Sequence, residues 1–591
     1  MLFLPLVSLL PLVTTTGAET APAYTSTFKD EILGVGQKIQ QLFQTSNDLA
    51  SAPRLQTRNG TYNGVYSHMH DQDLFLGVPY AQPPIEDLRW RPPQNLNTSF
   101  SGTKDATKYG SNCIGLGWDS WGYALSEDCL YLNIIRPHKH SSLSDEPLPI
   151  AVWLHGGGFY MGGSADKRFN MSYIVENGQK AGTPFIAISL NYRLNGFGFL
   201  YSNEVRGEGG TNLGLRDQRL ALQWIQENAN LFGGDSSRVT LWGQSCGGNS
   251  VGFHMVAYGG RDDGLFSAGV MQSGNPAAWR ALNGTEFYQP LYDNVTAHTC
   301  SAATDTLACL RTGRVDELVA VFNSSRDTSQ KWFPVIDGDF LKELPSRQLN
   351  KGNFVKVPII SGTTTNEVSV LLTIDLETDP QVFTGRPYQL GLPRKLADQL
   401  FEAYYPGICP DTADGNCTSF ESPRTEGMGI EFMRASTFAG DVVFTAARRQ
   451  TCEALARFGM PAYCYRFDAI PNGQQAPTHF HEVAFVLDNT DNLGYHWPIS
   501  SHTPPFLNTP PSYSKLANFI SRSWVSFFVS HDPNAWRRQD RWDGHEPEWP
   551  LYDNQDPYNL VLKPGESHIE PDTWRAAQIK LINDNAHIFQ R

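Results

Sequence analysis

The chain of 591 residues is 40% hydrophobic and 12% aromatic, which suffices for a large core and argues against extended disorder. Its formal net charge of −14, without any run of Lys or Arg, argues against nucleic-acid binding. No Pro-, Ser- or Gly-rich linker divides the chain, so we expect one large domain over residues 52–591.

The first residues have the pattern of a secretory signal peptide. Residues 2–13 form an apolar run, and Thr16-Gly-Ala18 supplies the small residues of a cleavage site, although a basic start is missing. We therefore expect residues 1–18 to be a signal peptide and the protein to be secreted. The sequence contains no later apolar run of about 18 residues, so no membrane span is predicted. Because Gln590-Arg591 is polar rather than hydrophobic, we expect no lipid anchor.

Residues 19–51 are predicted to form an N-terminal extension that contains an amphipathic helix. Its apolar residues recur at steps of four and three, which places them on one face: Phe28, Ile32, Val35, Ile39, Leu42 and Phe43. The opposite face carries charges of both signs rather than a basic band. Packing on the outside of the domain is therefore favoured over binding to a membrane surface.

Nine cysteines suit an oxidising compartment. Neighbouring cysteines suggest three disulfide bonds, although spacing alone does not prove the pairing: Cys113–Cys129, Cys300–Cys309 and Cys409–Cys417. Cys452 and Cys464 either pair or stay reduced, and the odd number leaves a free thiol, for which Cys246 is the best candidate. Seven glycosylation sequons agree with a secretory route: Asn59, Asn97, Asn170, Asn283, Asn294, Asn323 and Asn416.

Short apolar runs that alternate with helical patterns predict an α/β fold. We expect strands at residues 149–154, 184–189, 239–242 and 357–361, and a helix at residues 215–230. Strands that are buried on both faces and separated by helices form a large, mostly parallel central sheet flanked by helices. Active sites in such sheets lie at the carboxyl ends of the strands. Residues 375–460 predict helical insertions near the active site.

A sharp strand-to-helix turn, or nucleophile elbow, at Gly243-Gln-Ser-Cys-Gly247 predicts a nucleophilic serine. Glycines on both sides leave room for a strained turn that lifts Ser245 out of the backbone. The bare pattern is weak, because Gly and Ser are frequent, so its context decides. Cys246 is disfavoured as the nucleophile, since it does not occupy the elbow position.

A glycine-rich segment upstream of this turn predicts an oxyanion hole. The strand at residues 149–154 runs into His155-Gly-Gly-Gly-Phe159, whose backbone amides are free to face a ligand. Preorganised N–H donors stabilise the negative oxygen of an acyl-transfer transition state. We expect the donors to be the amides of Gly157, Gly158 and Cys246.

The other members of a catalytic triad should follow in the order serine, acid, histidine. Glu367 comes just after the strand at residues 357–361 and is the predicted acid. His479 follows a loop after an apolar strand at residues 462–467 and is the predicted base. His481 is its rival, and spacing alone does not separate the two.

Several long segments resemble type B carboxylesterases, the cholinesterase and fungal lipase family of α/β-hydrolases, over about residues 52–575. In chain order they are Phe75-Leu-Gly-Val-Pro-Tyr-Ala-Gln-Pro-Pro84, Ser126-Glu-Asp-Cys-Leu-Tyr-Leu-Asn133, Asn191-Tyr-Arg193, Asn212-Leu-Gly-Leu-Arg-Asp-Gln218 and Leu222-Gln-Trp-Ile-Gln-Glu-Asn-Ala-Asn-Leu-Phe-Gly-Gly-Asp235. The resemblance implies an α/β-hydrolase fold and a secreted carboxylic ester hydrolase. It also implies a Ser-Glu-His triad that forms an acyl-enzyme and needs no metal or cofactor.

The family's motifs assign the triad and show two departures. The acid motif matches Glu367, and the histidine motif matches His479 with Glu482, which sets His481 aside. The elbow is usually Glu-Ser-Ala in this family, whereas this chain has Gln244 and Cys246 around the serine. Relatives without the serine are adhesion or scaffold proteins, so its presence disfavours a non-catalytic binding protein.

The loop closed by Cys113 and Cys129 bears on the substrate. In relatives it forms part of the gorge rim or lid, and here it encloses 15 residues. Such a short loop favours an esterase, and the alternative is a triacylglycerol lipase that acts at lipid interfaces. We expect Trp118 and Trp121 to pack within the loop rather than bind a cation. The expected partner is a small-molecule or lipid ester, and no obligate protein partner is indicated.

Overall fold

Apolar strands build one large sheet in the computed structural model of the chain. The structure describes residues 52–138, 146–277, 281–324, 332–369, 392–404, 432–474, 476–495, 503–540 and 546–591. The predicted signal peptide, the N-terminal extension, the Cys409–Cys417 pair and Asn416 lie outside the described residues.

The described residues contain sixteen strands. They are β1 (Arg54–Thr57), β2 (Gly60–Asn63), β3 (Val65–Ser67), β4 (Gln72–Pro79), β5 (Thr103–Asp105), β6 (Asn112–Cys113), β7 (Leu125–Ser126), β8 (Tyr131–Pro137), β9 (Leu148–Leu154), β10 (Ile186–Leu190), β11 (Gly234–Gln244), β12 (Ala268–Gln272), β13 (Ile359–Thr364), β14 (Ala462–Phe467), β15 (Tyr558–Leu562) and β16 (His568–Pro571).

Eleven of these strands form the central sheet, in the order β16-β15-β14-β13-β12-β11-β9-β10-β8-β4-β3. The ladders from β15 to β10 are parallel, and those at the two edges are antiparallel. The predicted mostly parallel sheet is therefore confirmed. β11 is longer than predicted, because its first residue, Gly234, already pairs with Leu148 of β9.

The central strands are buried on both faces. In β9, Ile150, Val152 and Leu154 belong to one apolar cluster, whereas Ala151 and Trp153 belong to another. Alternate residues of a strand point to opposite faces, so the sheet separates two cores. This explains why these strands read as continuous apolar runs in the sequence.

Helices cover the sheet and supply the insertions. They are α1 (Ser172–Lys180), α2 (Asn195–Phe199), α3 (Asn203–Gly207), α4 (Leu213–Asn228), α5 (Cys246–Gly260), α6 (Thr285–Thr299), α7 (Thr306–Thr312), α8 (Val315–Phe322), α9 (Pro345–Lys351), α10 (Arg394–Tyr404), α11 (Phe432–Gly440), α12 (Ala446–Arg457), α13 (Glu482–Val486), α14 (Pro511–Ser530), α15 (Ala535–Asp540) and α16 (Ala576–Asp584). A π-helical turn, Asp441–Thr445, joins α11 to α12. Short 3-10 helices lie at Glu86–Leu88, Trp118–Ser120, Lys167–Phe169 and Ala229–Phe232.

Disulfide bonds are present, in agreement with the cysteine content. They join Cys113 to Cys129, Cys300 to Cys309 and Cys452 to Cys464. The last bond decides the alternative that the sequence left open, and it ties α12 to β14. Cys246 is the free cysteine of the described chain and is buried.

Two further features bear on the predicted secretory route. The sequon asparagines other than Asn416 occupy half-buried or exposed positions. Within the described residues, no helix is long and apolar enough to cross a membrane.

Candidate active site

Ser245 occupies the sharp turn between β11 and α5. Its backbone has φ 58° and ψ −128°, a region that non-glycine residues rarely adopt. The Ser245 amide donates to the Gln272 carbonyl at 2.8 Å, which ties the turn to β12. A Cβ on Gly247 would lie 2.0 Å from the Leu154 carbonyl oxygen, and one on Gly243 would lie 2.4 Å from the Gly247 backbone. These contacts explain why the turn requires glycines on both sides.

Glu367 and His479 meet at the carboxyl end of the sheet. The Glu367 Oε2 atom lies 2.7 Å from His479 Nδ1. The other carboxylate oxygen, Oε1, accepts hydrogen bonds from the Ser273 hydroxyl and the Thr364 amide, each at 2.7 Å. Because an ionised carboxylate only accepts hydrogen bonds, Nδ1 of His479 carries the proton. Of the two histidines that the spacing left open, His479 is therefore the one that Glu367 orients.

The environment of His479 favours its charged form. Burial lowers the pKa of the imidazole, but the hydrogen bond and negative charge of Glu367, together with the charge of Glu482, outweigh burial. The net effect raises the pKa above its ordinary value of 6.5. The imidazolium that this environment stabilises is the form that His479 would take after it accepts a proton from a serine.

The Nε2 atom of His479 faces the elbow. It lies 3.3 Å from Nε2 of Gln244, the residue before Ser245. With the proton on Nδ1, Nε2 accepts this hydrogen bond from the amide of Gln244. The Ser245 hydroxyl makes no hydrogen bond within the described residues. The elbow and the histidine are thus adjacent, and the serine is free to turn toward a substrate.

Phe444 is a contact of the histidine that the sequence did not reveal. Its ring stacks on the His479 imidazole, with 4.7 Å between ring centroids. Phe444 lies in the π-helical turn, whose buried Asp441 accepts hydrogen bonds from Tyr404 at 2.8 Å and Arg575 at 2.5 Å. π-helical turns are rare and often occur at functional sites. The described part of the helical insertion therefore supports the candidate base.

Glu482 is a second buried carboxyl group near the histidine. It is 1% exposed, and its Oε1 accepts a hydrogen bond from Gln272 at 3.3 Å. Burial, together with the negative charge of Glu367, raises its pKa to about 7, against the opposing effect of His479. In the sequence, Glu482 is only a member of the histidine motif, whereas in the structure it is a buried carboxyl group whose pKa responds to Glu367 and His479.

The predicted oxyanion loop follows β9. Gly157 and Gly158 have φ values of 106° and 65°, and neither amide donates to a backbone carbonyl in the described chain. The Gly157 carbonyl accepts from the amides of Tyr160 and Met161, each at 3.1 Å, which closes the loop. His155 at its start is buried, and burial lowers its pKa to about 4, so this histidine stays neutral near pH 7.

The loop closed by Cys113 and Cys129 lies against the oxyanion loop. The Leu116 amide donates to the Tyr160 carbonyl at 2.8 Å. The prediction that Trp118 and Trp121 pack within the loop is wrong, since they are 41% and 71% exposed. The loop makes its close contact through Gly117, whose added Cβ would lie 2.3 Å from the Met161 sulfur. So short a loop has little interior of its own to receive two indoles.

The fold and the position of these residues define an α/β-hydrolase. A comparison with protein families agrees, because the model of the Carboxylesterase family matches residues 51–577. The chain therefore belongs to the carboxylesterase family, which confirms the resemblance seen in the sequence.

Individual relatives and a solved structure support the same class. Secreted lipase 1 of Botryotinia fuckeliana is 34% identical over 519 residues, covering 77% of this chain and 88% of that protein. Lipase 4 of Diutina rugosa is 32% identical over 441 residues, covering 68% of this chain and 77% of that protein. The crystal structure of Aspergillus niger EstA has a TM-score of 0.77 and 25% identity, covering 92% of this chain and all of that one. Together with the family, they identify this protein as a carboxylic ester hydrolase.

Proposed function

We propose that the protein hydrolyses carboxylic esters with Ser245 as nucleophile, His479 as general base and Glu367 as the acid that orients the base. The 2.7 Å contact between Glu367 and His479, beside an elbow that presents Ser245, carries this proposal. The carboxylate fixes the imidazole tautomer with Nε2 unprotonated and able to take the serine proton, and it stabilises the imidazolium that forms.

The reaction proceeds in two acyl-transfer steps. Ser245 Oγ attacks the ester carbonyl while Nε2 of His479 takes its proton, and the carbonyl oxygen becomes negative. The amides of Gly157, Gly158 and Cys246 stabilise that oxygen. His479 then protonates the leaving alcohol, which leaves an acyl group on Ser245. Water, deprotonated by the same histidine, releases the carboxylic acid and restores the serine.

The decisive variant is Ser245→Ala. It removes the atom that forms the acyl-enzyme, so we expect kcat on p-nitrophenyl acetate to fall by at least about 10⁴-fold with an unchanged melting temperature. Ser267→Ala, which changes a partly buried serine just before β12, is the matched control and should keep full activity. Mass spectrometry of acid-quenched wild-type enzyme should place the acetyl group on the peptide that contains Ser245. Substantial activity in Ser245→Ala would refute the assignment.

A second candidate, triacylglycerol lipase, is favoured by one surface feature. The disulfide-closed loop exposes Trp118, Trp121 and Leu125 to solvent by 41%, 71% and 40%. Exposed tryptophans suit a lipid–water interface, and two similar proteins are named lipases. Rates on tributyrin below and above its solubility limit separate the candidates. Leu551, which is 56% exposed and pairs with Tyr463 of β14, is a control outside the loop. A sharp rise in rate above the limit, reduced in Trp121→Ser but not in Leu551→Ser, supports the lipase.

Secretion and its associated processing are also part of the proposal. Three disulfide bonds and relatives that are named secreted lipases support an extracellular location, with residues 1–18 as the signal peptide and residues 19–51 as the extension. Expression in a eukaryotic secretory host should release a protein that begins after Ala18. Endoglycosidase treatment should lower its apparent mass if the sequons are used.

A further inference from the structure

The thiol of Cys246 lies beneath the oxyanion loop. Cys246 is the first residue of α5 and its side chain is fully buried. The Phe159 amide donates a hydrogen bond to Sγ at 3.2 Å. Phe159 directly follows Gly158, so the sulfur contacts the loop next to two of the proposed oxyanion donors.

A second contact links the thiol to the start of the same loop. The Tyr192 hydroxyl lies 3.7 Å from Sγ and donates to the His155 carbonyl at 2.7 Å. The hydroxyl has a single proton, which it donates in the hydrogen bond to the carbonyl. The thiol is therefore the donor in its contact with the tyrosine oxygen. The Tyr192 ring also stacks on the His155 imidazole, with 4.4 Å between centroids. A continuous chain of hydrogen bonds thus runs from Phe159 through Cys246 and Tyr192 to His155.

The loop needs such a support because its backbone is strained. Gly157, Gly158 and Phe159 have consecutive positive φ values of 106°, 65° and 62°. Phe159 is not a glycine, and a bulky residue holds such a conformation only where its surroundings fix it. Its ring packs edge-on against Phe199 and Phe333, at 5.2 and 5.1 Å. The sulfur anchors its amide, and the Asn195 amide donates to its carbonyl at 2.7 Å.

We propose that Cys246 is a positioning residue of the oxyanion hole, whose thiol bridges the two ends of the loop and holds the Gly157 and Gly158 amides toward the substrate oxygen. The proposal rests on the proposed function, because it assigns a support to that site. It concerns the side chain of Cys246, whereas the oxyanion is bound by its main-chain amide. Alanine, the usual residue of the family at this position, has no atom that makes either contact.

The chemistry of the thiol agrees with this role. Burial raises the pKa of Cys246 to about 11. The group therefore stays a neutral thiol near pH 7, and it can accept one hydrogen bond while donating another. A buried neutral thiol is a poor nucleophile, which separates this role from direct attack on an ester.

Cys246→Ala tests the proposal. It removes both contacts while leaving the triad and the main-chain amide in place, so we expect kcat on p-nitrophenyl acetate to fall by about tenfold with little change in KM. An aryl trifluoromethyl ketone, to which Ser245 adds to give a bound oxyanion, should bind more weakly by the same factor. Cys246→Ser, which can both accept and donate, should recover most of the loss in both measurements.

Val251→Ala, a buried substitution in the same helix, is the matched control for lost packing. It should lower the melting temperature and leave kcat and inhibitor affinity unchanged. If Cys246→Ala behaves like Val251→Ala, or if Cys246→Ser fails to recover activity while it remains folded, the proposal is overturned. Failure of the proposed function is a different result, because it would appear as activity in Ser245→Ala whatever residue 246 is.

Discussion

The half of the site that contains the proposed acid and base is held by different forces from the half that contains the proposed oxyanion loop. Glu367 is fixed by three hydrogen bonds of 2.7 Å, from His479, Ser273 and Thr364. The oxyanion loop is held by neutral contacts, and its conformation, with positive φ at Gly157 and Gly158, leaves no room for a larger side chain. The first half depends on charge and the second on shape.

This difference predicts opposite sensitivities to mutation. A substitution that keeps shape but removes charge should disable the acid–base half, because the histidine loses the partner that selects its tautomer. A substitution that adds a single methyl group without any charge should disable the oxyanion half, because the amides lose their direction. Each kind of change should have little effect when it is made elsewhere in the fold.

Within the acid–base half, the largest effect is expected for Glu367→Gln, which preserves shape. The oxygen of the new amide can still accept hydrogen bonds from Ser273 and Thr364. The NH₂ group of the amide then faces Nδ1 of His479. Two donors cannot face each other, and the imidazole changes tautomer, which leaves Nε2 protonated and unable to accept from Ser245. We expect kcat to fall by about 10³- to 10⁴-fold with nearly normal KM. Glu570→Gln, at an ion pair with Arg466, is the control and should retain activity. A loss smaller than tenfold in Glu367→Gln would contradict the assigned role.

Sequence alone was enough to predict the residues that the structure brings together at this half. Glu367 follows β13 and His479 follows β14. Because these neighbouring strands are parallel, both residues lie at the carboxyl end of the sheet. The order of the motifs and the resemblance then chose His479 over His481. The same reasoning predicted the sheet, because each central strand is an apolar run that is buried on both faces.

Other contacts could not be predicted, because they depend on where a side chain points. Phe444 reaches His479 from an inserted π-helical turn, and no periodicity marks such a turn in the sequence. Gln272 lies at the end of β12 and bonds to Glu482, which is 210 residues away. The exposure of Trp121 was missed for a related reason: apolar residues usually predict packing, but a short surface loop encloses no core.

A smaller but still large effect is expected for Gly157→Ala, which adds no charge. The new Cβ would lie 2.2 Å from the Met161 carbonyl oxygen, and φ of 106° is unfavourable for alanine. The loop must shift, so we expect kcat to fall by about 10²-fold and trifluoromethyl ketone affinity to fall in parallel. Gly182→Ala has the same kind of positive φ, 68°, and no neighbouring atom within 4 Å. It should lower stability slightly and leave kcat unchanged, and equal losses in both variants would contradict the argument from shape.

The smallest effect on rate is expected for Glu482→Gln, which sharpens the argument from charge. The folded-state pKa of Glu482 is raised from 4.5 to about 7, so the folded protein retains a proton that the unfolded chain has already released. Stability therefore falls as pH rises from 4.5 to 7, by up to about 3 kcal/mol, and this contribution stays lost above pH 7. Urea unfolding from pH 4.5 to 8 should show this slope in the wild type and lose it in Glu482→Gln.

His479 also makes the free energy of unfolding fall as pH rises, but in a different pH window from Glu482. The contributions of the two groups can therefore be separated. Its pKa is raised above 6.5, and its contribution is complete below pH 6.5 and lost as pH rises through the folded-state pKa. A slope that begins only above pH 6.5 should therefore survive in Glu482→Gln. The variant also removes a negative charge that favours the imidazolium, so the acid limb of kcat/KM should move to lower pH while the maximal rate changes by less than about threefold. An unchanged acid limb would mean that Glu482 is already neutral when the enzyme works, and charge in this half of the site would then come from Glu367 alone.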